Sequence, residues 1–350
     1  MPSFANKQKG LALITVLFIF ALVSLLAISM QSRQKMSMAQ ASASISLTQA
    51  QLLALSVEDV AKSGLIFDAN RDTNADEPWD TSAEQWNQLP PVEWAGANIE
   101  VYVRDLQGLF NLNSLSPDGV NPTAAMARFE RLIDEVGSKT GILIPSSVAT
   151  NLKDWLDPNS TASSIYQNME PPYSASGVPF SHPSELMLIE EVDRDIYIAL
   201  EPYITALPAK TTLNINTTES MVLKSWDSKL TLADAEKIVN VTRPGACGPS
   251  VRNNNVHDSV SDLFANTILD PLVKASAGQN PTGRWDTADF SLNTVYFSVF
   301  IKVQIDGQEM ILESIIKRDM DPNTGFVGVV YRDFSRKAAD IGRLKLISCT

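Results

Sequence analysis

Lys7 to Met30 reads KQKGLALITVLFIFALVSLLAISM, and this stretch decides how the chain is built. Two lysines, Lys7 and Lys9, and Gly10 stand directly before twenty uncharged residues, Leu11 to Met30. At about 1.5 Å per residue such a helix spans roughly 30 Å, the hydrocarbon thickness of a bilayer. A secretory signal that is cut away has a shorter apolar region, with small residues on its far side. Here the small residue precedes the apolar run. Cleavage after Gly10 would remove a hydrophilic leader, residues 1–10, and leave a membrane helix, residues 11–30, on the protein.

The plainer reading is an ordinary signal anchor in which Gly10 is incidental. It leaves the next segment unexplained. Neither Gly nor Pro occurs between Leu11 and Ser63, and Gly64 is the first breaker. Met36, Ala39, Ala43, Leu47, Ala50, Ala54, Val57 and Ala61 recur at spacings of three and four, so residues 31–63 extend the helix as an amphipathic half. The whole would be about 80 Å long. An anchor needs no such extension, whereas a subunit that packs into a helical filament does.

With 350 residues the chain has room for about two domains besides the anchor. Its net charge is −12, and loss of Lys7 and Lys9 with the leader would take it to −14. Such a surface repels nucleic acid and anionic headgroups, which points to proteins or cations as partners. Lysines before the apolar run, with few basic residues close after it, put the N-terminus in the cytoplasm. The bulk of the chain then lies across the inner membrane, which in a bacterium is the periplasm. Cys247 and Cys349 are the two cysteines. In an oxidising compartment they are expected to pair, closing a loop of roughly a hundred residues and stabilising by up to ~4 kcal/mol. The plainer reading is two buried thiols.

Beyond the long helix, Ile99 to Val103 alternates as a strand. Tyr296 to Ile305 and Met310 to Lys317 alternate around Asp306-Gly307, a type I′ turn signal, and Phe326 to Tyr331 supplies another strand. These segments predict one small antiparallel sheet in a head formed by residues 64–115 and 287–350. Residues 116–286 read as an inserted all-α domain, with helices at Ala124–Val136, Ser147–Leu156, Ser184–Val192, Glu219–Trp226 and Leu232–Val241. Asn111-Leu112-Asn113-Ser114 and Asn214-Ile215-Asn216-Thr217 echo one another before helical sequence, which raises two related modules of the SAM or helix-hairpin-helix kind. The expected class is α+β, a long N-terminal helix packed on a small sheet with a helical insert between strands.

The leader and long helix resemble those of type IV pilins and type II secretion pseudopilins. KQKGLALITVLFIFAL, VRDLQGLFNLNSL, LKDWLD, PSELMLIEEV and LNINT, in this order, narrow the resemblance to the minor pseudopilin K family of the type II secretion system. That resemblance implies cleavage between Gly10 and Leu11 by the prepilin peptidase, with N-methylation of Leu11. Most pilins carry Glu at the fifth mature position, where its carboxylate neutralises a neighbour's N-terminal amine; this chain has Thr15. An unpaired charge in an apolar core is costly, so a subunit lacking that Glu is poorly suited to repeated addition. The insert would also obstruct stacking above it. The implied role is a filament-tip protein in the inner membrane that initiates or caps the pseudopilus with minor pseudopilins I, J and H. The major pseudopilin and exported proteins are further partners, and no chemistry is required. The alternatives are a minor type IV pilin that primes pilus assembly and a membrane-anchored periplasmic helix-hairpin-helix DNA receptor. Against the latter, Trp226-Asp227-Ser228-Lys229-Leu230 has no glycine where backbone amides would approach phosphate, and it carries an acid.

Calcium is the ion that the resemblance brings in. Asp68, Asn70, Asp72 and Asp76 place oxygen side chains at alternate positions, as in a calcium loop, although Thr73 stands where an EF-hand has glycine and Trp79 where it has Glu. Asp154 with Asp157, and Asp319 with Asp321 and Asn323, are two further oxygen-rich spots. The plainer readings are a solvated acidic linker and a hairpin loop. Enzyme readings have little support. His182 and His257 are the two histidines, the cysteines lack C-x-x-C spacing, and no G-x-S-x-G, Walker A or G-x-G-x-x-G occurs. His182, between Ser181 and Pro183, reads as an exposed residue in a loop or at a helix start.

Overall fold

The computed structural model describes residues 9–74, 79–82, 84–87, 89–161, 163–239, 241–242, 251–252, 256–276, 285–318 and 326–335. The chain begins with α1 (Lys9–Asn74), β1 (Val92–Trp94), β2 (Ala97–Asp105) and β3 (Phe110–Asn111). Next come α2 (Pro122–Thr140), α3 (Ser147–Leu156), α4 (Ser163–Gln167), a 3-10 turn at Pro183–Leu188, α5 (Arg194–Leu200) and β4 (Ile204–Thr205). β5 (Leu213–Asn214), α6 (Ser220–Lys224), α7 (Leu232–Ile238), β6 (Val241–Thr242), β7 (Val251–Arg252), α8 (Val260–Ala265) and α9 (Asp270–Ser276) follow. β8 (Phe290–Ser291), β9 (Tyr296–Ile305), β10 (Gln308–Arg318) and β11 (Val327–Asp333) end the order.

α1 runs past Gly64 to Asn74, so the expected break at residue 63 is corrected. A glycine inside a helix costs about 1 kcal/mol against alanine. Leu65 and Asp68, both buried in the head, lie just beyond it and offset that cost. Among the described residues α1 alone is long and apolar enough to cross a membrane. Its upper half lies on a five-stranded antiparallel sheet of order β1-β2-β9-β10-β11. Ala50, Ala54 and Leu65 pack there against Ile99, Val103, Phe297, Val299, Ile301, Val303, Leu312 and Ile316. Small residues let the helix approach the sheet closely, and Ser46 Oγ donates to Asp306 Oδ2 at 3.2 Å to tie the hairpin to it. That hairpin turns at Asp306-Gly307 with φ of 49° and 75°, the left-handed pair a type I′ turn requires.

The insert lies between β2 and β9. Its apolar core reaches from Phe110 to Phe290, wider than the expected 116–286. Both seams are two-residue parallel strand pairs, β3 with β4 and β5 with β8, too short to show any periodicity. Within these bounds the chain describes the same unit twice. In the first, Asn113 holds Phe180 from both sides: its Nδ2 donates to Phe180 O at 2.9 Å and its Oδ1 accepts from Phe180 N at 2.7 Å. In the second, Asn216 holds His257 in the same way, at 3.0 and 2.9 Å. Asn111 and Asn214 each accept from the backbone N–H two residues on. Leu152-Lys153-Asp154-Trp155 and Leu223-Lys224-Ser225-Trp226 come next, their Leu and Trp buried. A capped short helix follows each clamped segment, and a parallel strand closes each unit. Arg128 joins the two units, donating to Asp289 at 2.6 Å while lying over the Trp226 ring.

Two local expectations differ from the structure. Ser184–Val192 is a 3-10 turn over Pro183–Leu188, followed by a separate helix α5 that sequence reading missed. Glu191 at φ 69° breaks the pattern between them. His182 is buried rather than exposed. It caps that turn, and its ring stacks on Tyr331 of the head.

Candidate assembly surface and the joints that carry it

At about 100° per residue, the buried residues of α1 (Ser46, Ala50, Ala54, Glu58, Leu65 and Asp68) fall on one face. Met38, Ile45, Leu52, Val60 and Phe67 fall on the opposite face, each close to two-thirds exposed; Leu52 is 60 % exposed. These exposed apolar side chains, with Ser42, Gln49, Ser56 and Ser63 between them on the same side, form a stripe that continues the uncharged segment below it. Large apolar side chains recurring about every two turns along one side of a helix suit a contact with another helix.

The stripe is useful only if α1 is held rigidly on the head, and buried charges do this. Glu58 is 1 % exposed. It accepts from both Arg332 Nε at 2.8 Å and Nη2 at 2.6 Å, a two-pronged pair, and from Ser314 Oγ at 2.6 Å. About three turns on, Asp68 meets Arg318, whose side chain is 0 % exposed. Arg318 donates to Asp68 at 2.9 Å, to Asp80 Oδ2 at 2.6 Å and to Thr294 O at 3.0 Å, with its guanidinium over the Phe297 ring. A planar fork suits several acceptors at once, which a point charge does not. The second joint is Asp105 at the end of β2. It accepts from Gln107 N at 2.6 Å, Thr217 Oγ1 at 2.5 Å, Asn214 Nδ2 at 3.1 Å and Thr294 Oγ1. One carboxylate thereby fastens the second helical unit to the sheet. Burial pushes its pKa up, and those four donors oppose the rise.

The same corner holds more acid than one guanidinium can neutralise. Carboxylate oxygens of Asp68, Asp80 and Glu84 lie within 4.8 Å of one another. Burial, then the charges of Asp68 and Asp80, push Glu84 up to about 8. Burial pushes Asp80 up to about 6, a rise limited by Arg318 and the Thr294 amide. The folded chain therefore retains a proton on Glu84 that the unfolded chain releases near 4.5. Stability must fall as pH rises from about 4.5 to about 8, with Asp80 adding the same sign between 3.8 and about 6. Thermal unfolding across pH 5 to 8.5 should show this decline, and Glu84→Gln should flatten its upper part. An unchanged slope in the variant would rule out Glu84 as its source.

Of the first oxygen-rich set, Asp68 pairs with Arg318 and lies beside Asp80 and Glu84, while Asn70 and Asp72 belong to the helical backbone of α1 rather than to a loop. Alternate residues of a helix do not converge as those of a loop do. Asp76 lies outside the described residues, as do Asp319, Asp321 and Asn323. Asp154 is on α3, and Asp157 ends that helix, its Oδ1 accepting from Asn159 N at 2.8 Å. Cys247 and Cys349 also lie outside the described residues. Gly10 and Leu11 belong to the first turn of α1, and Thr15 is on its exposed uncharged segment. Sequence reading missed Glu58, Arg318 and Arg332. For Glu58 and Arg318 the one signal is a charged residue on a largely apolar face of α1 and of β10; Arg332, on β11, carries none.

Comparison with known proteins places these features in one context. A family model described as type II secretion system (T2SS), protein K, matches residues 108–209, the first of the two helical units. A type II secretion system protein K of Pseudomonas aeruginosa is 27 % identical over 339 residues, covering 94 % of this chain and 93 % of the relative. That of Klebsiella pneumoniae is 29 % identical over 252 residues, 67 % of this chain and 75 % of the relative. In fold, the chain is similar to a solved GspK-GspI-GspJ complex from the type 2 secretion system of enterotoxigenic Escherichia coli. The TM-score is 0.65 at 20 % identity, with 83 % of this chain and 97 % of the other covered.

Proposed function

Because the chain belongs to the type II secretion system protein K family, we infer that it is a minor pseudopilin seated at the tip of the pseudopilus. The observation that carries this reading is the apolar stripe on α1, opposite the face that packs on the sheet. It is long enough to receive the helices of neighbouring subunits and continues into a segment able to anchor the chain in a membrane. Thr15 and the insert support the tip position. The first removes the carboxylate with which a subunit added beneath others would meet its neighbour's N-terminal amine, and the second widens the head where another subunit would stack.

The solved complex to which the chain is similar joins GspK with GspI and GspJ. We extend those partners, minor pseudopilins I and J, to this chain, with H and the major pseudopilin as further neighbours and the head in the periplasm. The role is one of assembly and export. Neither a pilus-priming type IV pilin nor a DNA receptor is favoured by relatives that are secretion proteins. Leu52→Glu tests the reading, since Leu52 is exposed and the fold has no need of it. The variant should melt like the parent yet recover at least about tenfold less of pseudopilins I and J on purification from detergent, because a charge at the centre of an apolar contact is left unpaired. Full recovery of both partners would contradict it.

A further inference from the structure

The two helical units cap equivalent short helices with different side chains. In the second, Ser259 Oγ accepts from Asp262 N at 3.1 Å. In the first, the cap is an imidazole: His182 Nδ1 accepts from Ser184 N at 3.1 Å. A backbone N–H can only donate, so Nδ1 carries a lone pair and the proton of the neutral ring is on Nε2. That nitrogen lies 3.6 Å from Glu313 Oε1 on β10, and both side chains are buried. The ring is stacked on Tyr331 of β11, centroids 5.0 Å apart. Of the two caps, the one that can change its charge is the one that faces the head.

We propose that His182 is a proton-sensitive fastener between the first helical unit and the sheet of the head. In its neutral form it caps the 183–188 turn and offers Nε2–H towards Glu313. A second proton must go to Nδ1, where it meets the Ser184 N–H and ends the cap; the new N–H turns instead to Ser184 Oγ, 2.7 Å away. The same proton makes the ring a cation beside a buried carboxylate. Proton uptake therefore exchanges a bond within the unit for a charge pair across the joint. Among the described residues Glu313 from β10 and Tyr331 from β11 face the ring, with Ser298 of β9 behind Glu313 at 3.5 Å. From its own segment Glu185 accepts from the His182 backbone N–H at 3.0 Å.

Imidazoles as a class change charge between about pH 5 and pH 8, so the test compares the detergent-solubilised full chain at those two limits. Hydrogen exchange, corrected for its intrinsic pH dependence, should show amides 184–188 losing protection by about fivefold at the acid limit. Strand segments around Glu313 and Tyr331 should gain a similar factor. His182→Ser, the cap used in the other unit, should keep the turn and abolish both changes. Glu313→Gln should keep the loss at 184–188 but not the gain in the strands. A His182→Ser chain that responds to pH as the parent does would overturn the proposal. As a measurement independent of any variant, ring nitrogen chemical shifts of the parent should show Nδ1 unprotonated at the upper limit and protonated at the lower. A ring that does not titrate between them would overturn it as well.

Discussion

Replacing Arg318 with methionine should destabilise the head by about 3–5 kcal/mol, the usual cost of removing one partner of a buried ion pair. Methionine fills much of the volume, so the loss is electrostatic rather than a cavity effect. Asp68, Asp80 and Glu84 would be left facing one another, and the Thr294 carbonyl would lose its donor. The chain would respond by taking up protons, so the variant should recover part of its stability below about pH 5. Arg318→Lys should recover only part of it at neutral pH, because a lysine cannot reach two carboxylates and a carbonyl in one plane. Chemical denaturation of the detergent-solubilised chain measures both. A loss below about 1 kcal/mol for the methionine variant would mean that apolar packing of α1 on the sheet carries the joint without Arg318.

Replacing Gly10 with isoleucine should abolish processing almost completely. On the proposed cleavage after Gly10, a peptidase takes hold of the chain where the lysine-bearing leader meets the apolar helix, and a residue without a side chain fits a constricted site beside the membrane face. Gly10 also lies in the first turn of α1, where glycine lowers the cost of unwinding by about 1 kcal/mol relative to alanine. A β-branched residue removes both advantages. N-terminal sequencing of the parent should begin at Leu11 and that of the variant at Met1, with export reduced to background. Normal processing of the variant would contradict the assignment of Gly10–Leu11 as the cleavage site.

Local signals made much of this fold legible. The apolar run and the absence of breakers to Ser63 read as helix, the Asp306-Gly307 pair reads as a turn, and Tyr296–Ile305 is a strand over the expected residues. The repeated Asn-x-Asn was visible as an echo, and the structure gives its physical content in two reciprocal clamps on distant backbone. What was not legible is non-local. Glu58 and Arg332 are separated by 274 positions and Arg318 and Asp80 by 238, so no spacing rule connects them. Asp68 shows this most clearly. Read with its neighbours in sequence it resembled a calcium ligand, whereas its partners in the fold, Asp80, Glu84 and Arg318 at the end of β10, come from other parts of the chain. The run of α1 through Gly64 has the same origin, because tertiary burial beyond the glycine outweighs its local cost.

The account stands or falls on where this chain sits in the filament. The direct measurement is gold labelling of the chain on pseudopili lengthened by overexpression of the major pseudopilin. Label should lie at one end of each filament and be absent from the shaft. Label recurring at regular intervals along the shaft would contradict it.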